Sequence, residues 1–269
     1  TNSLPSWQSY LLHKVTHQPD LHRIRQALLS SKRVYLATDG SAPKAQSIGT
    51  HGWVIATDTS ILMAGFGPVH GVPTSSSRSE ATGLLAGLIA YSSLADFQCL
   101  QQIPTLDCYL DNLGVQGQAK KLILARTLPN LSTVADSDIF RQMFHQLSTQ
   151  VFNTTVSWVK GHQDTNKSLS RPLNRQEELN VMADNLATQA RVYYSHFSPG
   201  LPPTYPTTPV TLYHRQQLYS GRPLRILREY HHAKALRSYL RVKFAWPKSI
   251  YTHFSWDTYK NCRACLPFP

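Results

Sequence analysis

Two aspartates follow apolar stretches of the sequence, at positions where a buried strand would end. The stretch "VYLATDGS" runs from apolar residues into Asp39, and "LDCYLDN" reaches Asp111 in the same way. Side chains alternate along a strand, so Asp39 shares a face with Tyr35 and Ala37. Asp-Gly is also common in turns, and Asp39 alone therefore decides little. If the two strands are neighbours, both carboxylates lie at one edge of the sheet.

Two further acids lie on predicted helices. Glu80 falls in the first turn of the helix predicted from "SSSRSEATGLLAGLIAYSSL", where it could equally close an S-x-x-E capping box that begins at Ser77. Asp184 belongs to "EELNVMADNLATQAR", with Asn180 one turn before it on the same face. Each acid alone has an ordinary explanation as a cap, a turn residue or a solvated side chain. Together they offer four carboxylates at strand ends and on helix faces.

Clustered carboxylates suit hard divalent cations. Mg2+ is held by a few carboxylates together with water and substrate phosphates. Two such ions about 4 Å apart can bind the attacking water and the leaving oxygen of a phosphodiester. We therefore predict a site for two Mg2+ ions, in which Mn2+ could substitute. Zinc is less favoured, because the histidines and cysteines show no complete ligand set at the usual spacings.

The elements that must position these acids follow from the periodicity of apolar residues. Three strand-like runs, "RVYLATD", "HGWVIATD" and "SILMAGFG", predict an antiparallel meander. Strands in "TLDCYLDN" and "TTVSWVKGH" then alternate with helices. This order predicts an α/β fold whose mixed sheet is covered by helices. Before it, "DLHRIRQALLSSKR" predicts a helix capped by Asp20 with Leu21, Ile24 and Leu28 on one face.

Composition divides the 269 residues into four predicted segments. Residues 1–32 are a helical N-terminal segment, and residues 33–192 are the α/β domain. Residues 193–210 are a proline-rich linker, since five prolines fall among positions 197–209. Residues 211–269 form a basic and mainly helical C-terminal extension, because apolar residues from Ala233 to Phe244 have helical spacing.

The net charge of +12 lies in the flanks. Residues 33–192 contain 12 basic and 12 acidic residues, whereas residues 1–32 contain 4 and 1, and residues 193–269 contain 11 and 2. A basic flank beside a neutral domain suits a polyanion such as nucleic acid. The alternative is an ordinary solvated surface.

Cysteine content and hydropathy indicate an intracellular protein of the cytoplasm or nucleus, with no membrane partner. Four cysteines are too few for a disulfide framework in a chain of this length. Cys262 and Cys265 have the spacing of half a metal site, but no matching ligands follow them. No apolar run approaches the roughly 20 residues of a membrane span, and no signal peptide is found. The first residue, Thr1, indicates a fragment or a processed chain.

The motifs, taken in order, resemble ribonuclease H. The resemblance rests on "TDGS", "SRSEATGLLAGL", "YLDN", "WVKGHQD" and "ELNVMADNLA", and it covers roughly residues 33–192. Each motif is weak alone, but their order and spacing together are specific. "VSWVKGHQD" and the basic extension are most similar to the ribonuclease H domain of a retroelement reverse transcriptase. The resemblance implies a five-stranded mixed sheet, three antiparallel strands and then parallel strands, with helices on both faces.

The resemblance also implies roles for individual residues. The metal-binding and catalytic acids are Asp39, Glu80, Asp111 and Asp184, and His162 helps protons move and product leave. Residues expected to contact substrate or assist the site are Gly40, Ser41, Ser76, Ser77, Arg78, Asn112, Lys160 and Asn180.

The sequence departs from the family pattern in several places. The stretch from His162 to Asp184 is longer than compact members have. Before Glu80, "TSSSRS" stands where asparagines that contact substrate are common, and Asn112 stands where Ser is common. No basic protrusion is found between residues 113 and 152. The first departure affects how His162 reaches the site, and the others affect which residues contact substrate.

The predicted function is a metal-dependent endonuclease that hydrolyses the RNA strand of RNA/DNA hybrids. The chain would belong to a retroelement polyprotein, with a reverse transcriptase domain upstream as a partner. The alternative is a catalytically inactive module of the same fold that binds nucleic acid or acts as a scaffold in a reverse transcriptase assembly. A strand-transfer enzyme of related fold is a third candidate. Retention of all four acids favours an active hydrolase.

Overall fold

The structure, a computed structural model, describes residues 4–17, 20–42, 48–71, 74–98, 102–131, 134–163, 171–196, 204–208, 211, 213–214 and 217–244. Cys262 and Cys265 lie outside the described residues. The chain divides into two compact units, Thr1–Pro223 and Leu224–Pro269. Within the described ranges, no helix combines the length and the apolar character needed to cross a membrane.

The first unit is built on a six-stranded mixed sheet with the strand order β1-β4-β3-β2-β5-β6. Its strands are β1 (Lys14–His17), β2 (Arg33–Ser41), β3 (Ile48–Ala56), β4 (Ile61–His70), β5 (Thr105–Leu110) and β6 (Thr154–Trp158). Its helices are α1 (Ser6–Leu11), α2 (Leu21–Ser30), α3 (Ser76–Phe97), α4 (Leu113–Leu124), α5 (Ser137–Thr149) and α6 (Arg175–His196). A short pair, β7 (Tyr213–His214) and β8 (Gln217–Leu218), follows. Helix α7 (Pro223–Phe244) leads into the second unit.

The predicted arrangement of antiparallel and then parallel strands is confirmed. Strands β2, β3 and β4 form the antiparallel meander, and β2–β5 and β5–β6 pair in parallel. The sheet has one strand more than predicted, because Lys14–His17 pairs with β4 at the edge. Four residues are too short a run to predict a strand, and β1 depends on β4 for its hydrogen bonds.

Helices cover both faces of the sheet. Leu36 of β2 belongs to one apolar core, which includes residues of α3, α4 and α5. The next residue, Ala37, belongs to a second core together with Leu179 and Ala183 of α6. Because successive strand residues point to opposite faces, this alternation places α3 and α6 on opposite sides of β2. The two helices that carry Glu80 and Asp184 therefore approach the same strand from its two sides.

Part of the predicted proline-rich linker packs within the first unit. The ring of Tyr205 lies edge-on to that of Trp7, with 6.0 Å between centroids. Thr207 Oγ1 donates a hydrogen bond to Gln142 Oε1 at 3.0 Å. Helix α6 also continues to His196, inside the segment predicted as linker. Aromatic burial gives these residues a packed position that composition alone does not indicate.

Candidate metal-binding site

The sheet brings Asp39 and Asp111 to the same edge. Strands β2 and β5 are parallel neighbours, and Ala37 pairs with Tyr109. Asp39 and Asp111 each lie two residues beyond that pair. Parallel strands in register carry such positions to adjacent places on the same face. The two strands are therefore neighbours, as the sequence analysis required.

Helix α3 brings Glu80 against the end of β2. A Cβ on Gly40 would overlap the backbone of Ser79 and Glu80, so only glycine permits this approach. The helix begins at Ser76, and the Ser75 hydroxyl accepts the hydrogen bond of Arg78 N at 3.0 Å. The capping box proposed between Ser77 and Glu80 is therefore wrong, because the helix starts earlier. Glu80 is free for another role.

The acids converge into one cluster. One carboxylate oxygen from each of Asp39, Glu80 and Asp111 lies within 4.8 Å of the others. Asp184 of α6 is close enough to Asp39 for its side chain to raise the pKa of Asp39. All four predicted acids thus meet between the end of β2, the end of β5 and two helices.

The cluster is electrostatically unfavourable without a counter-ion. The pKa of Asp39 is raised to about 6: burial, Asp111 and Asp184 raise it, whereas hydrogen bonds with Glu80 and Gly40 N–H lower it. Burial also raises the pKa of Glu80 well above its usual range, with added contributions from Asp39 and Asp111. Carboxylates in this environment retain protons that a bound cation would displace.

The donor set fits a hard divalent cation. Glu80 is only 2% exposed, and its Oε2 has no hydrogen-bond partner among the described residues. A buried acceptor without a partner is costly, and coordination to a cation would satisfy it. The ligand atoms of the cluster are all carboxylate oxygens. Mg2+ prefers oxygen ligands, whereas zinc sites usually include nitrogen or sulfur.

The loop after β6 contacts two of the acids. Gly161 lies against Asp111, because a Cβ at this position would overlap the carboxylate. His162, with a left-handed φ of 52°, places Nδ1 3.5 Å from Asp184 Oδ2, and its side chain is 71% exposed. Trp158 Nε1 donates a hydrogen bond to the carbonyl oxygen of Asp111 at 2.9 Å. An accessible imidazole therefore lies next to Asp184.

Several residues predicted to contact substrate lie at accessible positions. Ser76, Ser77 and Lys160 are exposed, and Gly40, Ser41 and Asn112 are partly exposed. Asn112 Nδ2 donates to Ser77 Oγ at 3.4 Å, while Asn112 Oδ1 accepts from Val115 N and caps α4. These polar groups stand next to Asp111 and at the start of α3.

Arg78 is not among the accessible residues, and the prediction that it contacts substrate is corrected. Its side chain is buried, and its guanidinium makes a bidentate ion pair with Asp138 and a further hydrogen bond to Asp136. Its Nε donates to the carbonyl oxygen of His70. The guanidinium donors are engaged inside the protein, so Arg78 joins α3 to the start of α5.

Asn180 is also buried, at 2% exposure. Its Nδ2 has no hydrogen-bond partner within the described part of the chain. A buried amide has no surface to offer a duplex. Of the two roles expected for Asn180, support of the site is the one that its position allows.

Sequence reasoning missed two polar contacts near the site. Trp158, 46% exposed, was quoted only as part of a motif, yet its indole holds the backbone at Asp111. Arg191 of α6 donates to Ser41 Oγ at 3.5 Å, and 150 positions separate the two residues. An aromatic residue at a strand end was a usable signal for Trp158. No local signal pointed to Arg191.

No family model matches the sequence, and no curated protein matches it. Among solved structures, the chain is similar to an RNase H1 isolated from compost by a metagenomic approach. The sequence identity is 16%, over 61% of this chain and 99% of that chain, with a TM-score of 0.43. An RNase H1 from the halophilic archaeon Halobacterium salinarum NRC-1 is 21% identical over 60% of this chain and 98% of that chain, with a TM-score of 0.41.

A viral structure is similar to the same extent. The protease-reverse transcriptase of prototype foamy virus is 23% identical over 58% of this chain, with a TM-score of 0.41. The match covers 20% of that viral chain. At these identities the likeness concerns the fold, and the chemistry must be argued from the side chains of this chain.

Proposed function

We propose that this chain is a divalent-metal-dependent endonuclease that hydrolyses the RNA strand of RNA/DNA hybrids. The observation that carries the proposal is the convergence of Asp39, Glu80 and Asp111, joined by Asp184, from four separate elements. Residues 33–192 contain equal numbers of acidic and basic residues, so an excess of acids does not explain why several of them are buried together. Such clusters occur where a cation is to be held.

Each acid has a distinct part in holding the ions. Asp39 is central, because it interacts with Glu80, Asp111 and Asp184. Glu80 reaches the cluster from α3, and Asp184 reaches it from α6 on the other side of β2. When bound, two Mg2+ ions supply an activated water for attack on phosphorus and neutralise charge on the departing oxygen. The protein contributes the fixed positions of the four carboxylates, which need no rearrangement during the reaction.

His162 is proposed to move protons at the edge of the site. Its Nδ1 lies 3.5 Å from Asp184 Oδ2, and its side chain is 71% exposed. An imidazole so placed can accept a proton on the solvent side, or release one there, as product leaves.

Recognition of a hybrid would come from groups around the acids. Ser76 and Ser77 at the start of α3, with Asn112 and Lys160, can donate or accept hydrogen bonds at accessible positions. The 2′-hydroxyl is the group by which proteins distinguish RNA from DNA. Contacts to sugars and phosphates carry no sequence information, so we expect little base preference.

The proposal includes a biological setting. The motifs and the basic flank favour a ribonuclease H domain at residues 33–192 of a retroelement polyprotein that also carries a reverse transcriptase. That setting places the protein inside the cell. A search of the parent gene upstream of Thr1 for polymerase motifs would test this part separately.

The decisive experiment is a cleavage assay with the full chain and an RNA/DNA hybrid labelled on either strand, in Mg2+ or Mn2+. Duplex DNA, duplex RNA and single strands serve as competing substrates. Selective cutting of the RNA strand of the hybrid, lost in Asp39→Asn, supports the proposal. Binding without cleavage in either metal would instead support the inactive module.

A further inference from the structure

Exposed polar residues on α6 form a line that leads away from the acid cluster. Three residues follow Asp184 at intervals of four, three and four positions, and they are Thr188, Arg191 and Ser195. This spacing places all four residues on one side of an α-helix. Asp184 is partly exposed, whereas the three residues after it are exposed. Arg191 brings a positive charge to this line, about 10 Å from Asp184 along the helix axis.

The end of β2 lies beside the same line. Asp39 and Ser41 are two positions apart in β2, so their side chains point to the same face of the sheet. Asp39 interacts with Asp184. Two residues further along the strand, Ser41 Oγ accepts a hydrogen bond from Arg191 Nη1 at 3.5 Å. The pair formed by Ser41 and Arg191 therefore lies next to the acid cluster, one step further along both the strand and the helix.

Ser41 gives Arg191 a fixed support. Ser79 Oγ of α3 donates a hydrogen bond to the carbonyl oxygen of Ser41 at 3.3 Å. Thr50, the partner of Ser41 in β3, donates to the carbonyl oxygen of Ala187 in α6 at 2.8 Å. Hydrogen bonds thus tie this end of β2 to α3 and the adjacent part of β3 to α6. A support fixed in this way reduces the conformational freedom that the arginine loses when it binds a ligand.

The guanidinium of Arg191 has donors left for a ligand. A guanidinium carries five N–H donors, and the hydrogen bond to Ser41 uses one of them. Because the side chain of Arg191 is exposed, the other donors are accessible at the surface. Two N–H groups of the planar guanidinium can bond in parallel to two oxygens of a phosphate. The position and the chemistry of this side chain therefore suit a phosphate beside the acid cluster.

We propose that Arg191, supported by Ser41, binds a backbone phosphate of the substrate within about three nucleotides of the phosphate that is cut. The inference deepens the proposed function and rests on it, because that function places the cut phosphate at the acid cluster. Neighbouring phosphates must then pass close by, and a cation about 10 Å away along α6 is within their reach. A phosphate contact carries no base information, so Arg191 fixes how the substrate lies on the acids without sequence preference.

Arg191 in this role contacts the substrate but not the reacting atoms. R191Q should therefore raise KM and leave kcat at saturating hybrid nearly unchanged. In EDTA it should lose about tenfold in affinity for a hybrid, the effect of one hydrogen bond to a charged group. One phosphate contact accounts for a slope of about 0.9 in log affinity against log salt, so the slope from about 50 to 300 mM salt should be shallower by that amount. R191K keeps the charge and should recover the slope, but only part of the affinity, because Lys lacks the planar fork.

Fluorescence anisotropy with the full chain measures these affinities. The matched control is R23Q, which removes an exposed charge on α2, a helix that leads into the opposite end of β2 from Asp39. S41A should weaken affinity in the unaltered chain but not in R191Q, because Ser41 acts through the guanidinium. Equal flattening of the salt dependence by R191Q and R23Q would show an effect of net charge and overturn the inference. So would unchanged binding by R191Q that circular dichroism shows to be folded.

A second experiment locates the phosphate. Hybrids with a single uncharged methylphosphonate linkage, moved stepwise along either strand, are cleaved by the unaltered chain and by R191Q, and the cuts are mapped. The unaltered chain should lose kcat/KM when the uncharged linkage lies at one fixed distance from the cut, within about three nucleotides, and R191Q should not show this loss. The same interference pattern in both chains would contradict the inference. A chain that never cleaves but loses affinity in R191Q alone would overturn the proposed nuclease and leave Arg191 as a phosphate contact.

Discussion

The backbone of Gly161 lies directly against the carboxylate of Asp111. A Cβ at position 161 would stand 3.0 Å from Cγ of Asp111 and nearer still to Oδ2. The glycine of "KGH" is therefore required by the space that Asp111 occupies. The loop that carries His162 can approach the acid cluster only because this position has no side chain.

Gly161→Ala should displace the Asp111 carboxylate from the cluster. Because the obstructing atoms belong to a side chain that can rotate, we expect the fold to survive, with a loss of less than about 1 kcal/mol. Hybrid cleavage should fall about 100-fold, as expected for a misplacement of about 1 Å in a catalytic group. Gly117→Ala in α4 is the control, since nothing lies within 4 Å of its Cβ position. Wild-type cleavage by Gly161→Ala would contradict this account of the loop.

Asp39→Asn should stabilise the metal-free protein at neutral and alkaline pH. The folded pKa of about 6 lies above the ordinary value of 3.8, so the folded protein holds a proton that the unfolded chain has released. Stability therefore falls as the pH rises from about 4 to 6, and the cost is complete above that range. Removal of the charge should return about 3 kcal/mol at pH 8 and almost nothing near pH 4.

Urea unfolding in EDTA at pH 4, 6 and 8 measures this difference. The comparison uses the midpoint and slope of each transition, so that a change in the unfolded state is recognised. A stabilisation of equal size at pH 4 and pH 8 would mean that Asp39 carries no unfavourable charge in the folded protein. Cleavage should be lost in the same variant.

Mg2+ should stabilise the native chain, and Glu80→Gln should abolish most of that effect. A ligand that binds only the folded state adds about 2.7 kcal/mol at a hundred times its dissociation constant. The buried Oε2 of Glu80 has no hydrogen-bond partner among the described residues. Coordination of a cation by this atom should therefore contribute most to the binding free energy. Thermal unfolding at pH 8 with and without Mg2+ measures the effect. Glu178→Gln on the exposed side of α6 should keep the full Mg2+ response, and a full response in Glu80→Gln would remove Glu80 from the site.

Arg78 should be a structural residue. Its replacement by Gln leaves Asp136 and Asp138 with no guanidinium partner, and loss of one partner from a buried ion pair costs about 3 to 5 kcal/mol. Arg25→Gln on the exposed face of α2 should cost less than about 0.5 kcal/mol. Denaturant unfolding compares the two. If Arg78→Gln kept its stability and raised KM alone, the guanidinium would be a substrate contact after all.

The order of the strands along the chain and the strand-end positions of Asp39 and Asp111 could be predicted because they depend on local patterns. Alternation in β2 and β5 marks where each strand ends, and parallel pairing then brings Asp39 and Asp111 together. Asp20 was predicted to cap α2, and its side chain accepts a hydrogen bond from His22 N. Such signals lie within a few residues of the feature they specify.

Two differences between prediction and structure depend on partners that are distant in the sequence, and a third is a local ambiguity. Arg78 meets Asp136 and Asp138 across about 60 positions, and nothing next to Arg78 distinguishes a buried arginine from one that meets substrate. The cap of α3 was placed at Ser77 because serines at 75, 76 and 77 give the same local signal. Tyr205 was assigned to a linker on its proline-rich neighbours, although its ring packs against Trp7. Tertiary contacts decided the cases of Arg78 and Tyr205.

His162 provides the last prediction. Because it contacts Asp184 from an exposed loop and belongs to no packed core, His162→Ala should leave stability and the Mg2+ response unchanged. It should lower kcat by about 100-fold, the contribution expected of a positioned proton-transfer group. His145→Ala, exposed on α5, is the control and should cleave normally. The pH dependence of kcat separates the possible roles: a proton carrier should leave a changed profile when it is removed, whereas a residue that only orders the loop should lower the rate equally at every pH.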